Sequence, residues 1–116
     1  DQFMINYFSQ LKELFELTLT EQASDLHISV GHPPILRINR RLVPLIKKKK
    51  ILPEDSKELA FQLMNEEQRE RFLKEKEIDF SYSFEEKTRF RVNIFFQKGN
   101  ISCSLRQIPK GVPMSR

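Results

Sequence analysis

The chain has 116 residues, of which 39% are apolar, and it carries a formal net charge of +4. This length suits one compact domain, and the apolar fraction, with ten phenylalanines, argues against an intrinsically disordered chain. No apolar run approaches the roughly 20 residues needed to cross a bilayer, and the single cysteine, Cys103, cannot form an internal disulfide. We therefore expect a soluble, non-secreted protein with Cys103 buried in a strand.

The first predicted element is an amphipathic helix from Gln2 to about Glu21, because apolar residues recur there every three or four positions. The apolar stripe consists of Phe3, Met4, Phe8, Leu11, Leu14, Phe15 and Leu19. The segment DLHISV then alternates apolar and polar residues, a pattern that is typical of a half-buried strand.

A hairpin is predicted after the turn GHPP, because ILRINRRLVPL alternates again and would bury Leu36, Ile38 and Leu42 on one face. The chain should reverse near Asn39 and Arg40. Four lysines follow at positions 47–50. Such a run is usually a solvated loop, but contact with lipid head groups, nucleic acid or an acidic neighbour stays open.

Two helices are predicted after the lysines. Pro53, followed by two acidic residues, suits the first turn of a helix that extends to about Met64. Asn65 and Gln68 have the spacing of a capping box for the next helix, which should end near position 77. Its predicted buried residues are Phe72 and Leu73.

Three further strands complete the predicted fold: IDFSYSF, TRFRVNIFFQ and ISCSLRQI. A turn at Lys98, Gly99 and Asn100 should join the last two strands. The order of elements is one helix, strands, two helices and again strands. This order indicates an α+β fold, with an N-terminal helix and a central helix pair against a mainly antiparallel sheet of about five to six strands.

The sequence offers little catalytic chemistry of its own. Three glycines provide no G-x-x-x-x-G-K-[ST] phosphate-binding loop, and one cysteine with two histidines makes no recognisable zinc site. Asp25, His27 and Ser29 alternate along one strand, but their spacing argues against a catalytic triad and favours hydrogen bonds to neighbouring loops. We therefore expect no enzyme activity, catalytic residue or metal site in this chain.

The strand TRFRVNIFFQ carries the best candidate for a binding site. Arg89 and Arg91 alternate with Phe90, so their side chains project from one face, and Asn93 lies next along it. Guanidinium groups offer paired donors that match phosphate oxygens, and they keep their charge. Pattern alone nevertheless favours arginines that are solvated or paired with carboxylates.

Four segments occur together in an order that belongs to one known family. They are ASDLHISVGHPPILRINRRLVPL, DFSYSF, RFRVNIFFQKG and LRQIP, and they span residues 23–109. The chain resembles the N-terminal domain of the type IV pilus retraction ATPases, the PilT-type members of the secretion-ATPase superfamily. The segment ASDLH is shared with the pilus assembly and type II secretion ATPases, whereas GHPPILRIN favours the retraction branch.

The resemblance implies a PAS-like domain at residues 1–109 and the start of a linker at 110–116. A RecA-like ATPase domain would follow, in a full-length homo-hexamer that uses ATP and Mg. Such motors return pilin subunits to the inner membrane during twitching motility, so the resemblance implies a cytoplasmic protein that works peripherally at the inner-membrane platform. Its partners would be the ATPase domains of the same and neighbouring subunits. The isolated domain should bind neither ATP, Mg nor nucleic acid.

The resemblance also implies a role for the arginines. In the family, arginines of an R-x-R-V-N strand reach nucleotide phosphates between the two domains, and Arg89, Arg91 and Asn93 match that motif. Arg40 stands where the family usually has a glycine, so Asn39 is expected to take the left-handed conformation instead. The lysine run is not a family feature. An excised piece of a longer protein and a natural stand-alone domain both fit the sequence.

Three alternatives remain. A pilus assembly or type II secretion ATPase is the alternative within the superfamily. A basic nucleic-acid-binding module would need several aromatic side chains to stack bases, yet the face with the arginines offers only Phe95. A PAS-like sensor would need an internal pocket, whereas the many phenylalanines indicate a filled core.

Overall fold

The computed structural model describes residues 6–108, which form three helices and six strands. The helices are α1 (Tyr7–Thr20), α2 (Pro53–Leu63) and α3 (Glu66–Glu75). The strands are β1 (Asp25–Ile28), β2 (Ile35–Ile38), β3 (Arg41–Pro44), β4 (Glu77–Phe84), β5 (Thr88–Gln97) and β6 (Asn100–Ile108). They form one sheet in the order β3-β2-β1-β6-β5-β4, and every neighbouring pair is antiparallel. The predicted α+β fold is confirmed.

The ends of α2 and α3 follow local chemistry. Helix α2 begins at Pro53, where a missing backbone N–H removes no helical hydrogen bond. At the start of α3, the Gln68 N–H donates to the Asn65 side chain at 2.7 Å, and the Asn65 N–H donates to the Gln68 side chain at 2.9 Å. The predicted capping box is therefore confirmed. Helix α3 ends at Glu75, and Lys76, which caps it, takes a left-handed conformation with φ 70°.

The three helices cover one face of the sheet, and aromatic rings join them to it. The ring of Phe15 in α1 lies 4.8 Å from Phe90, 5.0 Å from Phe84 and 5.6 Å from Tyr82, measured between centroids. In α3, Phe72 stacks on Phe96 of β5 at 5.0 Å. Helix α2 adds Leu59, Ala60 and Leu63 to the same buried cluster.

Cys103 is buried within this core, as predicted. Its burial raises the pKa of the thiol to about 12. The thiol therefore stays protonated at physiological pH, and a protonated, buried thiol is a poor nucleophile. Cys103 is a packing residue.

Three apolar residues that the sequence patterns place in buried stripes are exposed instead. Leu42 is 54% exposed because β3 is the edge strand of the sheet and all four of its residues face solvent. Leu73 is 47% exposed because α3 meets the core through Phe72. Phe8 is 58% exposed in the first turn of α1, which precedes the buried residues Leu11, Leu14 and Phe15. The predicted residues Phe3 and Met4 lie outside the described residues.

Two hairpins turn through a pair of left-handed residues. Lys98 (φ 54°) and Gly99 (φ 80°) join β5 to β6, as two-residue hairpin loops require. Asn39 (φ 50°) joins β2 to β3, which confirms its expected left-handed conformation, but Arg40 (φ 70°) takes the same conformation. Arg40 therefore has a strained backbone conformation that a glycine would adopt at lower cost.

Candidate functional site

Strand β5 places Arg89 and Arg91 on the sheet face that the helices leave open. Phe90 and Val92 are fully buried beneath the helices, and the alternation of the strand turns the two arginines to the opposite side. Both arginines are exposed. Hydrogen-bonded strands flank β5 on both sides, so its backbone holds the two side chains at a fixed spacing.

The neighbours of the two arginines across the sheet carry no negative charge. Arg91 lies opposite Ser81 of β4 and Arg106 of β6. Arg89 lies opposite Ser83 and Ile108. Within residues 6–108, no ion pair involves either guanidinium group. Ion pairing with carboxylates therefore does not apply to Arg89 and Arg91 in the described residues, whereas solvation of both side chains agrees with their exposure. We call Arg89 and Arg91 the arginine pair.

Asn93, the third residue of the predicted site, has a different environment. Its amide Nδ2 donates to a Glu77 carboxylate oxygen at 3.0 Å and to an Asp79 carboxylate oxygen at 3.1 Å. These contacts occupy the amide donors, and they place two carboxylates beside it. A phosphate at Asn93 would meet electrostatic repulsion, so the surroundings favour an anion at Arg89 and Arg91 only.

The same open face carries a second arginine cluster, which already has a carboxylate partner. The Asp25 side chain is buried and lies between Arg106 and Arg37, with Nε to carboxylate oxygen distances of 3.1 Å and 4.0 Å. The Ser24 hydroxyl donates to the same carboxylate at 2.6 Å. Burial alone would raise the pKa of Asp25, but the hydrogen bonds from Ser24 and Arg106 and the charge of Arg106 outweigh it and lower the pKa. Asp25 is therefore ionised and holds both arginines.

His27 lies next to this cluster and is half-buried. Burial lowers the pKa of His27, and the charges of Arg37 and Arg106 lower it further, against the opposing effect of Asp25. The imidazole is therefore neutral at physiological pH, and its Nδ1 lies 3.4 Å from the Ser104 hydroxyl. Asp25 and His27 therefore make structural contacts, as predicted, but Arg106 and Ser104, their partners, lie on β6 rather than in neighbouring loops.

Sequence patterns missed the Asp25 cluster. They place Asp25 on the polar side of a half-buried strand, but its side chain is 5% exposed. The cluster depends on pairings between strands that are distant in sequence: Asp25 lies opposite Arg37 of β2 and Arg106 of β6. The sequence does show one acidic residue and two arginines on three predicted strands. This pattern predicts an ion cluster only when the order of the strands in the sheet is known.

Two negative findings apply to the part of the chain that the structure describes. Residues 6–108 contain no group of three or more His, Cys, Asp or Glu side chains arranged to hold a metal ion. None of the three helices in this range is long and apolar enough to span a membrane.

Comparisons with known proteins place the chain among pilus ATPases. No protein-family model matches it. It is 34% identical over 104 residues to the type IV pilus ATPase PilU of Pseudomonas aeruginosa, a match that covers 90% of the chain. It is 35% identical over 106 residues to the type IV pilus retraction ATPase PilT of the same organism, covering 88% of the chain. The chain spans only 27% and 29% of the lengths of these relatives.

Solved structures give the same result. The crystal structure of the pilus retraction motor PilT with bound ADP matches 88% of this chain with a TM-score of 0.80 and 32% identity, over 30% of its own length. The Legionella pneumophila ATPase DotB matches 96% of this chain with a TM-score of 0.76 at 23% identity, which supports the fold alone. The chain therefore belongs to the family of PilT and PilU, as an N-terminal domain of the PilT type.

Proposed function

We propose that this chain is the non-catalytic N-terminal domain of a motor ATPase that retracts type IV pili and so drives twitching motility. One relative above 30% identity is named as a retraction ATPase, and the similar crystal structure is that of a retraction motor with bound ADP. In the full-length protein, a RecA-like domain would bind ATP and Mg and carry out hydrolysis. The N-terminal domain would contribute a surface that contacts the nucleotide bound by the RecA-like domain.

The observation that carries this proposal is the arginine pair. Arg89 and Arg91 are exposed, have no carboxylate partner within residues 6–108, and project from a strand that is hydrogen-bonded on both sides. The neighbouring Arg106 on β6 adds to the positive potential. Two unpaired guanidinium groups at a fixed spacing suit the oxygens of a nucleotide phosphate.

The path of the chain supports the same role. Arg89 lies opposite Ile108, the last residue of β6, so this end of β6 lies beside the arginine pair. A domain tethered by a short linker after this point would be held near these side chains. Such tethering raises the effective concentration of the two surfaces for each other.

The remaining parts of the proposal concern assembly. The full-length protein would form a homo-hexamer in the cytoplasm, in which this PAS-like domain also contacts the ATPase domain of a neighbouring subunit. The hexamer would work at the inner-membrane platform of the pilus. Closure of the arginine pair on nucleotide would order one pair of domains, and product release would free it, so that hydrolysis produces movement.

Two alternatives remain outcomes of experiment. In a pilus assembly or type II secretion ATPase, the arginine pair would have the same function, and only the transport system driven by the motor would differ. A nucleic-acid-binding role has less support, because the open face presents Phe95 as its aromatic residue on β5 and carries Glu77 and Asp79 beside Asn93. In a nucleic-acid complex, the logarithm of the affinity would fall steeply and linearly with the logarithm of the salt concentration, because phosphate contacts release counterions.

The test is ATP turnover of the full-length protein with Arg89→Ala and Arg91→Ala together. Removal of two charge-assisted contacts to phosphate should lower turnover at least about tenfold. The matched control is Arg71→Ala with Lys74→Ala, which removes the same charge from exposed positions on α3. The control should retain turnover. Equal turnover in the Arg89 and Arg91 variant and the parent protein would rule out the proposed site.

A further inference from the structure

The segment between β1 and α2 has an unusual charge. Residues 26–53 contain seven arginines and lysines and no aspartate or glutamate, although the whole chain has a net charge of only +4. The rest of the chain is therefore net acidic. The basic charge that the composition reports is concentrated in one part of the surface.

A tight turn sits at the centre of this segment. The Lys48 N–H donates to the Leu45 carbonyl at 2.8 Å, which places Ile46 and Lys47 at the tip of the turn. Ile46 is 82% exposed, and Leu42 and Val43 of the adjacent edge strand are also exposed. We call residues 45–50 the lysine turn. It presents an aliphatic side chain at its tip and lysines beside it.

Contacts on both sides hold the lysine turn in place. The Lys48 ammonium group lies 2.7 Å from a Glu13 carboxylate oxygen, which ties the turn to α1. At its far end, the Ile51 N–H donates to the His32 carbonyl at 2.8 Å, and Ile51 itself is buried. Lys48 is therefore engaged within the domain, whereas Lys47, Lys49 and Lys50 are exposed.

We propose that the lysine turn docks on an anionic lipid surface. Lys47, Lys49 and Lys50 would contact head-group phosphates, and Ile46 would enter the boundary between head groups and acyl chains. Clustered lysines are attracted to the negative surface of a bilayer, and an exposed aliphatic side chain gains free energy when it leaves water there. Both contributions come from the same few residues, which is the arrangement that interfacial binding requires.

Other partners fit this surface less well. Nucleic acid would supply phosphates for the lysines but would gain little from Ile46, since single-stranded bases stack on aromatic rings rather than aliphatic chains. An acidic protein groove would have to accommodate the projecting side chain of Ile46, which is 82% exposed, as well as the lysines. The combination of aliphatic tip and cations complements a lipid surface in both hydrophobicity and charge.

This inference does not depend on the arginine pair or on ATP. The lysine turn follows β3 at one edge of the sheet, whereas Arg89 and Arg91 are on β5, and three strands separate β3 from β5 in the sheet. A vesicle-binding measurement without nucleotide therefore tests the lysine turn alone. An absence of vesicle binding would not contradict the proposed motor function, and unchanged ATP turnover in the Arg89 and Arg91 variant would not contradict lipid binding.

The experiment is sedimentation of the purified chain with vesicles of phosphatidylcholine, either alone or mixed with phosphatidylglycerol. We expect binding to the mixed vesicles only. Lys47→Gln, Lys49→Gln and Lys50→Gln together should weaken that binding about a hundredfold, at about fivefold for each lysine. Ile46→Ser should weaken it about tenfold without a change of charge.

A charge-matched control separates the turn from general basicity. Lys57→Gln, Arg71→Gln and Lys74→Gln remove three positive charges from exposed positions on α2 and α3, and should leave binding nearly unchanged. The proposal is overturned if the control weakens binding as much as the lysine-turn variant, or if Ile46→Ser has no effect. It is also overturned if the chain does not bind the mixed vesicles, whether or not it binds a short RNA.

Discussion

Strand β5 has two faces with different surroundings. Phe90, Val92 and Ile94 are completely buried under the helices, whereas Arg89 and Arg91, which alternate with them, are exposed on the open face. The buried face is satisfied within the domain by apolar contacts. On the open face, Arg89 and Arg91 form no ion pair within residues 6–108. The strand therefore presents two unpaired positive charges on a rigid backbone.

The open face is itself divided. Arg37 and Arg106 surround the buried Asp25 and complete a local ion cluster, while Arg89 and Arg91 have neutral or basic neighbours across the sheet. Arginines on one surface therefore differ in their environment: two are paired with a carboxylate inside the domain, and two are not. An arginine can therefore be assigned to binding only after its partners within the fold are known.

The largest predicted effect is on the buried face. Phe90→Ala should lower the free energy of unfolding by about 3–5 kcal/mol, because it removes a fully buried ring and leaves a cavity. Chemical denaturation monitored by circular dichroism would measure it. A loss below 1 kcal/mol would show that the core tolerates the cavity and that the buried face does not support β5 as we describe.

A smaller effect is expected for the Asp25 cluster. Asp25→Asn should lower the free energy of unfolding by about 1–2 kcal/mol at neutral pH, because it removes the charge that holds Arg106 and Arg37. The cost is limited by the 72% exposure of Arg106, which lets water screen the interaction. The matched control, Glu70→Gln on the exposed side of α3, should change stability by less than about 0.5 kcal/mol.

The Asp25 variant also has a defined pH dependence. The folded pKa of Asp25 is lowered from the ordinary value of 3.8, so its contribution is fully present above that value. The contribution is lost as the pH falls through the lower folded pKa. The difference in stability between parent and Asp25→Asn should therefore shrink as the pH falls below 3.8. A difference that stays constant through this range would contradict the ion cluster.

The smallest predicted effect on stability belongs to the arginine pair. Arg89→Ala with Arg91→Ala should change the free energy of unfolding by no more than about 0.5 kcal/mol, because both side chains are exposed and lack an ion pair in the described residues. The same denaturation measurement applies. A loss comparable to that of Asp25→Asn would mean that the pair has a structural role.

Sequence patterns predicted the elements of this fold well, because the signals are local. Period-two alternation located β4, β5 and β6, and the spacing of Asn65 and Gln68 located the start of α3. The turn at Lys98 and Gly99 was predicted for the same reason. Each of these signals depends on residues within a few positions of one another.

The errors involve positions that tertiary structure decides. Leu42 belongs to an alternating pattern, but β3 is the edge of the sheet and no element covers it. Leu73 and Phe8 lie beside residues that do reach the core. Arg40 takes a left-handed conformation because the two-residue loop requires it, although local preference disfavours it.

The candidate site shows the same limit. Alternation predicted that Arg89, Arg91 and Asn93 share one face, and the register of β5 agrees. The contacts of Asn93 with Glu77 and Asp79 depend on the pairing of β4 with β5, which the sequence alone does not specify. The lack of an ion pair at Arg89 and Arg91 within residues 6–108 depends on the same pairing.

The most direct test of the central claim compares ATP with adenosine, a nucleoside that has no phosphate. Calorimetric titration of the full-length protein would measure its affinity for ATP and for adenosine, in the parent and in the Arg89→Ala, Arg91→Ala variant. Contact between the arginine pair and phosphate predicts that ATP affinity falls at least about tenfold while adenosine affinity stays the same. Unchanged ATP affinity, or an equal loss for ATP and adenosine, would contradict it.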